Sequence, residues 1–459
     1  MCFCGATWPT DQPLVSRRRF VEAGFRAGVA VAAVGWAGST ASARAADAAG
    51  SSQVAEAPGS QAAPTAPGVI ALTGGRIHPA PDAPLIARGV VLVRGHTIAA
   101  VGSEADVSIP ADARVVDCAG LTLTAAFWNC HVHFIERRWQ GADTASPAAL
   151  ASSVRAMLTR HGFATVVDTG SPLPNTQGLA RRIGAGEVPG PNVITAGGSF
   201  APPNGSPYYI QPVRVPELGD PKTAETLVDQ SLDAGADAIK LFTGSWATQQ
   251  SVVLMPVDVV RGATAAAHRR GKLVLAHPST GAGARAAIDG GVDILAHTFP
   301  SEIDGPWDRS LPELMRRSGM ALIPTLKLWS YETRRLGRAP ALADRLRDNA
   351  ATQVKMFADA GGEVLFGTDV GYMLDYDPAD EYVLLERAGL SFRQILAALT
   401  TNPAARFGRA ARTGRLAPGM DADLVALDGR PDTDVAAFTR VRYVVRQGGL
   451  IYDSRSPAA

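Results

Sequence analysis

Short apolar runs alternate with glycine-bearing turns at both ends of the chain, and the middle switches between two periods. From Gly68 to about Leu123 the runs VIALTGGRI, GVVLVRG, TIAAVG and ARVVDCAG predict short strands joined by tight turns. The pattern returns near the C-terminus in ADLVALDG and VRYVVRQGGLIYD. Between them, strand-length apolar runs begin with LTLTAAFWNCHVHF and continue as ATVVDTG (164–170), NVITAGG (192–198), AIKLFTG (238–244), KLVLAH (272–277), VDILAH (292–297), MALIPT (320–325) and EVLFGTD (363–369). Stretches with helical spacing separate most of them: PAALASSVRAMLTRHG, TAETLVDQSLDAG, VDVVRGATAAAHRRG, LPELMRRSG and LADRLRDNAATQVKMFADAG. Eight strands alternating with helices predict an α/β fold. The expected architecture is a (β/α)8 TIM-like barrel over residues 125–414 plus a small β-sandwich domain built from the N- and C-terminal segments, 68–124 and 415–459. No G-x-G-x-x-G follows an early strand and no P-loop is present, which argues against a nucleotide-binding doubly wound sheet.

Composition adds two segments in front. Residues 46–67 are mostly Ala, Pro, Ser, Gly and Gln and read as a disordered linker. Residues 1–45 resemble a twin-arginine signal peptide: Ser16-Arg17-Arg18-Arg19-Phe20-Val21, an apolar run over Ala27–Ala37, then Ala43-Arg44-Ala45 as a small-x-small cleavage site. The apolar run is shorter than the roughly 20 residues a membrane span needs. The expectation is a periplasmic or secreted protein with no membrane association after signal cleavage.

Charge narrows the partners. The chain carries +1 overall, and residues 1–45 hold five arginines against Asp11 and Glu22, so the remainder stands at −2. No basic patch argues for nucleic acid, and no acidic block argues for a tail. Cys118 and Cys130 are the two cysteines beyond the signal, too few for a disulfide framework, although the two could pair with each other. Strand alternation points Cys130 away from the neighbouring imidazoles, as a small buried apolar residue.

The barrel reading places chemistry at the C-terminal strand ends. His131 and His133 end the first strand, His277 the fifth, His297 the sixth and Asp369 the eighth, so four of the eight histidines stand on the expected active face. Residues two apart on a strand share a face, and two imidazoles so placed can converge on one metal ion. Each histidine alone is equally well a core or surface residue; together with Asp369 they make a metal-ligand set. The fourth strand adds Lys240 inside an apolar run. A lysine there either pairs or reaches out to solvent, or carries CO2 as a carbamate, an anionic ligand able to bridge two metals. His268, before the fifth strand, and His161, at a helix end, read as structural, His161 as a surface residue matched to the helix dipole.

These residues carry a resemblance. The chain from about 68 to 453 resembles the amidohydrolase superfamily, specifically its binuclear branch with prolidase-like and ochratoxinase-like enzymes. VVDCAGLTLTAAFWNCHVHF is similar to the family stretch ending in its HxH. GFATVVDTG, IGAGEVPGPNVITAGG, GADAIKLFTG, AAIDGGVDILAHTF, VLFGTDVG, ALTTNPAARFGR and APGMDADLVALD follow in family order. The resemblance implies two divalent metal ions, zinc being the expected one. His131, His133, Lys240 and Asp369 would hold one, and carbamylated Lys240, His277 and His297 the other. Asn129 departs from the family's usual Asp before the HxH, which implies altered support around the metal rather than its loss.

The implied reaction is hydrolysis of an amide or related C–N bond in a small molecule such as an N-acyl amino acid or dipeptide, with Asp369 as the catalytic proton carrier. The alternative is a mononuclear member, a deaminase or cyclic-amide hydrolase, in which Lys240 has no role. A barrel kept as a binding scaffold would typically lose ligands, and all six positions are filled here. Tyr208, Tyr209, Trp329, Tyr331, Arg334 and Tyr372 are candidate substrate-binding residues on the loops after the third, seventh and eighth strands, with Arg334 or Arg335 suited to a carboxylate. Relatives often assemble, so a homo-oligomer is an open expectation.

Overall fold

The computed structural model describes residues 68–300 and 307–456. The expected signal peptide and linker lie outside the described residues.

Both ends of the chain build one sheet. Five strands come first: β1(Val69–Ile77), β2(Ile86–Arg94), β3(Thr97–Ser103), β4(Arg114–Asp117) and β5(Leu121–Ala125). The middle of the chain follows with β6(Phe127–Val132), β7(Phe163–Asp168), β8(Asn192–Thr195), β9(Ser199–Phe200), β10(Ala238–Phe242), β11(Gly244–Trp246), β12(Val252–Leu254), β13(Leu273–His277), β14(Ile294–Ala296) and β15(Ala321–Ile323). The chain closes with β16(Leu424–Asp428), β17(Val441–Arg446) and β18(Gly449–Asp453). The terminal sheet runs β18-β17-β16-β5-β1-β2-β3, with β4 beside β1. The period-two pattern supplies an apolar cluster on each face of β1 and β2: Leu72, Val91 and Val93 on one side, Ala71, Val90 and Leu92 on the other. β5 is the seam, parallel to β1 at Arg76↔Thr122 and antiparallel to β16 from Leu424↔Ala125 to Asp428↔Leu121. Only Ala126 separates it from β6.

The middle is α/β. β6, β7 and β8 form one parallel sheet, β15-β14-β13-β10-β9 another, and β11 and β12 a separate hairpin. The third expected strand is split into β8 and β9, with Gly197 between them at φ +62°. The eighth makes no continuous strand. Instead, segment 363–370 bonds on two sides: Leu322 N donates to Glu363 O (2.9 Å) and Leu365 N to Leu322 O (2.8 Å), while Cys130 N donates to Phe366 O (2.8 Å) and His133 N to Val370 O (2.8 Å). All eight segments contribute to a single interior cluster, through Trp128, Val167, Ile194, Ala238, Leu275, Ile294, Ile323 and Leu365.

The expected helices form as Pro147–Met157, Pro221–Asp233, Val257–Arg269, Leu311–Arg317 and Pro340–Asp359. Their apolar stripes, such as Val260, Ala263 and Ala267, pack in the larger cluster between helices and sheets. Helices the periodicity did not predict cover Leu173–Gly184, Gly281–Asp289, Lys327–Arg335, Ala379–Arg387, Phe392–Leu399 and Thr401–Arg406. His161 is not a surface residue. The turn Thr159–His161 lies against β17 and β18, and burial lowers the imidazole to a pKa of about 4, so it sits neutral in the junction. Cys118 and Cys130 are both buried and unpaired. Among the described residues no helix is long and apolar enough to cross a membrane.

Candidate metal centre

Two of the singled-out side chains reach the interior by plain alternation. On β10, Ala238 belongs to the interior cluster and Lys240 follows it two residues later; on β13, Leu275 is followed by His277. β10 and β13 pair in register, with Lys240 opposite Leu275 and Phe242 opposite His277.

His131, His133 and His297 arrive by breaks in the alternation. On β6, Trp128 and Cys130 belong to the interior cluster, while Phe127, Val132 and Phe134 pack outward under the helices. The phase flips after Cys130, where the β6–β7 register shifts between Asn129 and Val132. A bulge of this kind re-aims side chains. It brings His131 and His133 to the same side as Cys130, which therefore lies in the interior below them rather than facing away as alternation required. On β14, Ile294 is interior and Leu295 outward; His297 then adopts φ +76°. Asp369 keeps the parity of interior Leu365, with Phe366 and Val370 outward, and adopts φ +62°. Left-handed backbone at a non-glycine residue costs of order 1–3 kcal/mol and persists only where the surroundings impose it.

Asn129 supplies part of that imposition. Its Oδ1 accepts from His131 N and Thr368 N (both 3.2 Å), and its Nδ2 donates to Thr368 Oγ1 (2.7 Å). The amide thus staples the HxH strand to the turn that carries Asp369, a job for which its donor-plus-acceptor character suits it. Gly371 completes the turn. A Cβ there would stand 1.8 Å from His133 O.

The six side chains converge on one cavity of about 350 Å³, lined by His131, His133, Lys240, His277, His297 and Asp369. His133 Nε2 stands 3.0 Å and His131 Nε2 3.4 Å from Asp369 Oδ1. The His131 and His297 rings are centred 4.6 Å apart, as are those of His277 and His297. His133 Nδ1 is 3.2 Å from Gly170 O, and His297 Nδ1 is 2.7 Å from Thr325 Oγ1. These contacts leave each Nε2 for the cavity.

Burial sets the protonation states. Desolvation, reinforced by the Lys240 charge, lowers His131 and His297 well below the usual imidazole range and His277 to about 3. Desolvation also lowers Lys240 to about 8, against the opposing pull of Asp369. Neutral imidazoles have lone pairs to donate, and an amine near 8 is partly free base at neutral pH, the form that adds CO2.

Among the described residues, buried Asp369 Oδ1 has no hydrogen-bond partner. With His131 and His133 it forms a group whose ligand atoms lie within 4.8 Å of one another. A buried carboxylate oxygen with no hydrogen bond, set beside the His131 and His133 rings, is costly without a cation. The donor set therefore fits a metal.

Around this centre, Tyr208, Tyr209, Trp329 and Tyr372 line the cavity, and Tyr331 and Arg334 do not. Tyr331 stands behind Tyr372, with ring centroids 6.3 Å apart, and Arg334 is exposed. The segment LKLWSYETRR is a helix, not a loop, and its 3.6-residue period turns Leu328, Trp329, Glu332, Thr333 and Leu336 inward while Arg334 faces out. Sequence reasoning missed Glu332, which accepts from Tyr372 Oη (2.9 Å) and takes Arg335 through two bonds (2.9 and 2.6 Å). It also missed Arg338, on the cavity lining. The signal was the helical spacing of the apolar residues. His268 is exposed, with Nε2 2.9 Å from Asp293 Oδ2.

Comparison with known proteins gives a consistent picture. The sequence model described as "Amidohydrolase family" matches residues 122–451. Ochratoxinase of Aspergillus niger is 24% identical over 433 residues, covering 84% of this chain and 86% of its own. Among solved structures, a prolidase complexed with N-methylphosphonate-L-proline is similar at TM-score 0.70 and 22% identity, over 84% of this chain and 100% of that one. A Xaa-Pro dipeptidase with bound methionine in its active site is similar at TM-score 0.72 and 20% identity, over the same shares.

Proposed function

The chain belongs to the amidohydrolase family and is a hydrolase of carbon–nitrogen bonds, and from that premise we propose that it cleaves an amide in an N-acyl amino acid, dipeptide or similar small molecule at a two-metal centre. The observation that carries the reading is the convergence of four imidazoles, Lys240 and an unpaired Asp369 oxygen on one cavity. His131, His133, Lys240 and Asp369 would hold one divalent ion, zinc in the first instance. Carbamylated Lys240, His277 and His297 would hold the other. When bound, the metals supply Lewis acidity that polarises the scissile carbonyl and acidifies water. Asp369 accepts the proton of the attacking water and returns it to the leaving nitrogen, so that water and amide become a carboxylic acid and an amine, which ionise to carboxylate and ammonium. The half-buried aromatic rings of Tyr208, Tyr209, Trp329 and Tyr372 position the substrate. Supporting one closed (β/α)8 barrel are the bonds through segment 363–370 and the shared interior cluster. The two clusters on opposite faces of β1 and β2 support a sandwich-like terminal domain.

The test is metal removal and restoration. Chelation is expected to abolish hydrolysis of N-acyl amino acids and dipeptides, and zinc with bicarbonate to restore it with two metals per chain. Native mass spectrometry is expected to show one added CO2 that K240A lacks. One observation favours a mononuclear deaminase or cyclic-amide hydrolase: the tightest ligand group is His131, His133 and Asp369 alone. One metal per chain, an unmodified Lys240 and turnover of lactams would select it. For location we propose twin-arginine export with cleavage after Ala45; a mature periplasmic chain that still carries Arg17 and Arg18 would refute it.

A further inference from the structure

Two consecutive helices, Lys327–Arg335 and Pro340–Asp359, stand along one wall of the cavity. The second helix is unusual over its first half. Its buried residues begin only at Ala350. Before that, Leu342 and Leu346 are i,i+4 neighbours on a stripe that lines the cavity, with Asp344, Arg345, Arg347 and Asp348 around the rest of the helix. The stripe faces open space instead of core. Leu328 and Leu336 of the first helix extend it.

The connection between the helices adds a charge. Gly337, at φ +61°, ends the first helix, and Arg338 N bonds back to Thr333 O (2.9 Å). That turn puts Arg338 on the lining, where it and Lys240 are the only lysine or arginine among the described lining residues. Arg335 is engaged by Glu332, and Arg334 faces solvent. The exposed Arg338 guanidinium has neither a hydrogen bond nor an ion pair among the described residues.

We propose that this wall is a substrate subsite: the Leu328–Leu336–Leu342–Leu346 stripe takes a bulky apolar group, and Arg338 takes the substrate's carboxylate at the mouth. The substrate class is then an amide-linked amino acid with a free carboxylate and a large apolar or aromatic acyl or side-chain group. The inference rests on the hydrolase reading above for the amide, and on the wall alone for the two ends. A guanidinium–carboxylate contact is directional and charge-assisted, and its exposure keeps it modest.

Two measurements on the zinc-loaded full chain test it. In kinetics, N-benzoyl-L-phenylalanine is compared with its C-terminal carboxamide and with N-acetylglycine. R338A is expected to lower kcat/KM for the carboxylate substrate at least tenfold more than for the carboxamide, through KM, with R338K in between. L346A is expected to penalise the benzoyl substrate more than N-acetylglycine. In calorimetry, R338A is expected to weaken 4-phenylbutyrate binding about tenfold, and butyrate is expected to bind the wild type more weakly than 4-phenylbutyrate. Binding unchanged by R338A, or equal kinetic losses on carboxylate and carboxamide, would overturn the subsite. If the wild type cleaves none of the amides while 4-phenylbutyrate binding still depends on Arg338, the hydrolase reading fails and the subsite stands.

Discussion

In the proposed reaction Asp369 concentrates most of the chemistry in one side chain, and its backbone shows how it is held there. A left-handed residue outside glycine is tolerated where hydrogen bonds fix it, and Asp369 N donates to His131 O at 2.8 Å. D369A is expected to lower kcat roughly 10²–10⁴-fold, the range for removing a general acid–base, with the Tm little changed; hydrolysis within threefold of wild type would remove Asp369 from its role. A second carboxyl gives a pH signature. Burial, followed by the nearby Asp421 charge, raises Asp423 from 3.8 to about 6, against the pull of Gln447 N at 2.7 Å. Between those values the folded chain holds this proton and the unfolded chain does not, so this group's contribution to stability falls as pH rises and is level above about 6. Relative to D423N, the wild type is expected to lose roughly 1.4 kcal/mol per pH unit across that window, read by urea melts. The identity of every proposed ligand was legible in the sequence, because imidazole, amine and carboxylate at strand ends limit the chemistry. Their aim was legible for Lys240, His277 and Asp369, which keep the parity of interior Ala238, Leu275 and Leu365. His131, His133 and His297 depend on a bulge and a left-handed residue, which strict alternation does not encode.

Among the elements, the strand carrying His277 is held from both sides by glycines. A Cβ on Gly244 or Gly283 would stand 2.1 or 2.0 Å from Pro278 O, one residue past the ligand. Gly283 lies inside the helix Gly281–Asp289, where replacing glycine by alanine would ordinarily stabilise by about 0.5–1 kcal/mol. Here the sign is expected to reverse. G283A should cost about 1–3 kcal/mol through overpacking and should weaken the site's metal affinity, measured by competition with a chromogenic chelator. A stabilised variant with wild-type affinity would show that Pro278 can move aside. Two of the helices missed in sequence, Leu173–Gly184 and Gly281–Asp289, carry glycines that lower helix propensity, and a third, Lys327–Arg335, shows its apolar stripe over only nine residues. The strands were legible because buried parallel strands read as apolar runs. The irregular segment 363–370 was legible as a position but not as a shape.

At the scale of the whole molecule, strands from both ends of the chain share one sheet, and the hydrophobic period changes where the terminal segments give way to the alternating middle. The order of strands in the terminal sheet was not legible in the sequence, since pairing between the first and last segments is a long-range choice. The two units are joined by few polar contacts. Arg446 reaches Asn192 Oδ1 (3.2 Å) and Ile183 O (3.3 Å). Arg155 donates to Asp453 O (3.1 Å) and Ser456 O (3.0 Å), and stacks on Tyr452 with 4.4 Å to the ring centre. R155A is expected to cost about 1–2 kcal/mol and to increase proteolysis at the C-terminus while leaving hydrolysis by the intact chain unchanged; equal loss of activity would mean the junction reaches the metal centre. The seam β5 has a further consequence for how the protein is made. It passes through Ala126 alone into the HxH strand, and its neighbour β16 is synthesised some 300 residues later. While the chain is still on the ribosome, the foundation of the first histidine pair is missing, and loop closure over that length is slow. In the proposed metal reading, loading therefore belongs after translation ends, and arrested nascent chains ending before Leu424 should retain no zinc.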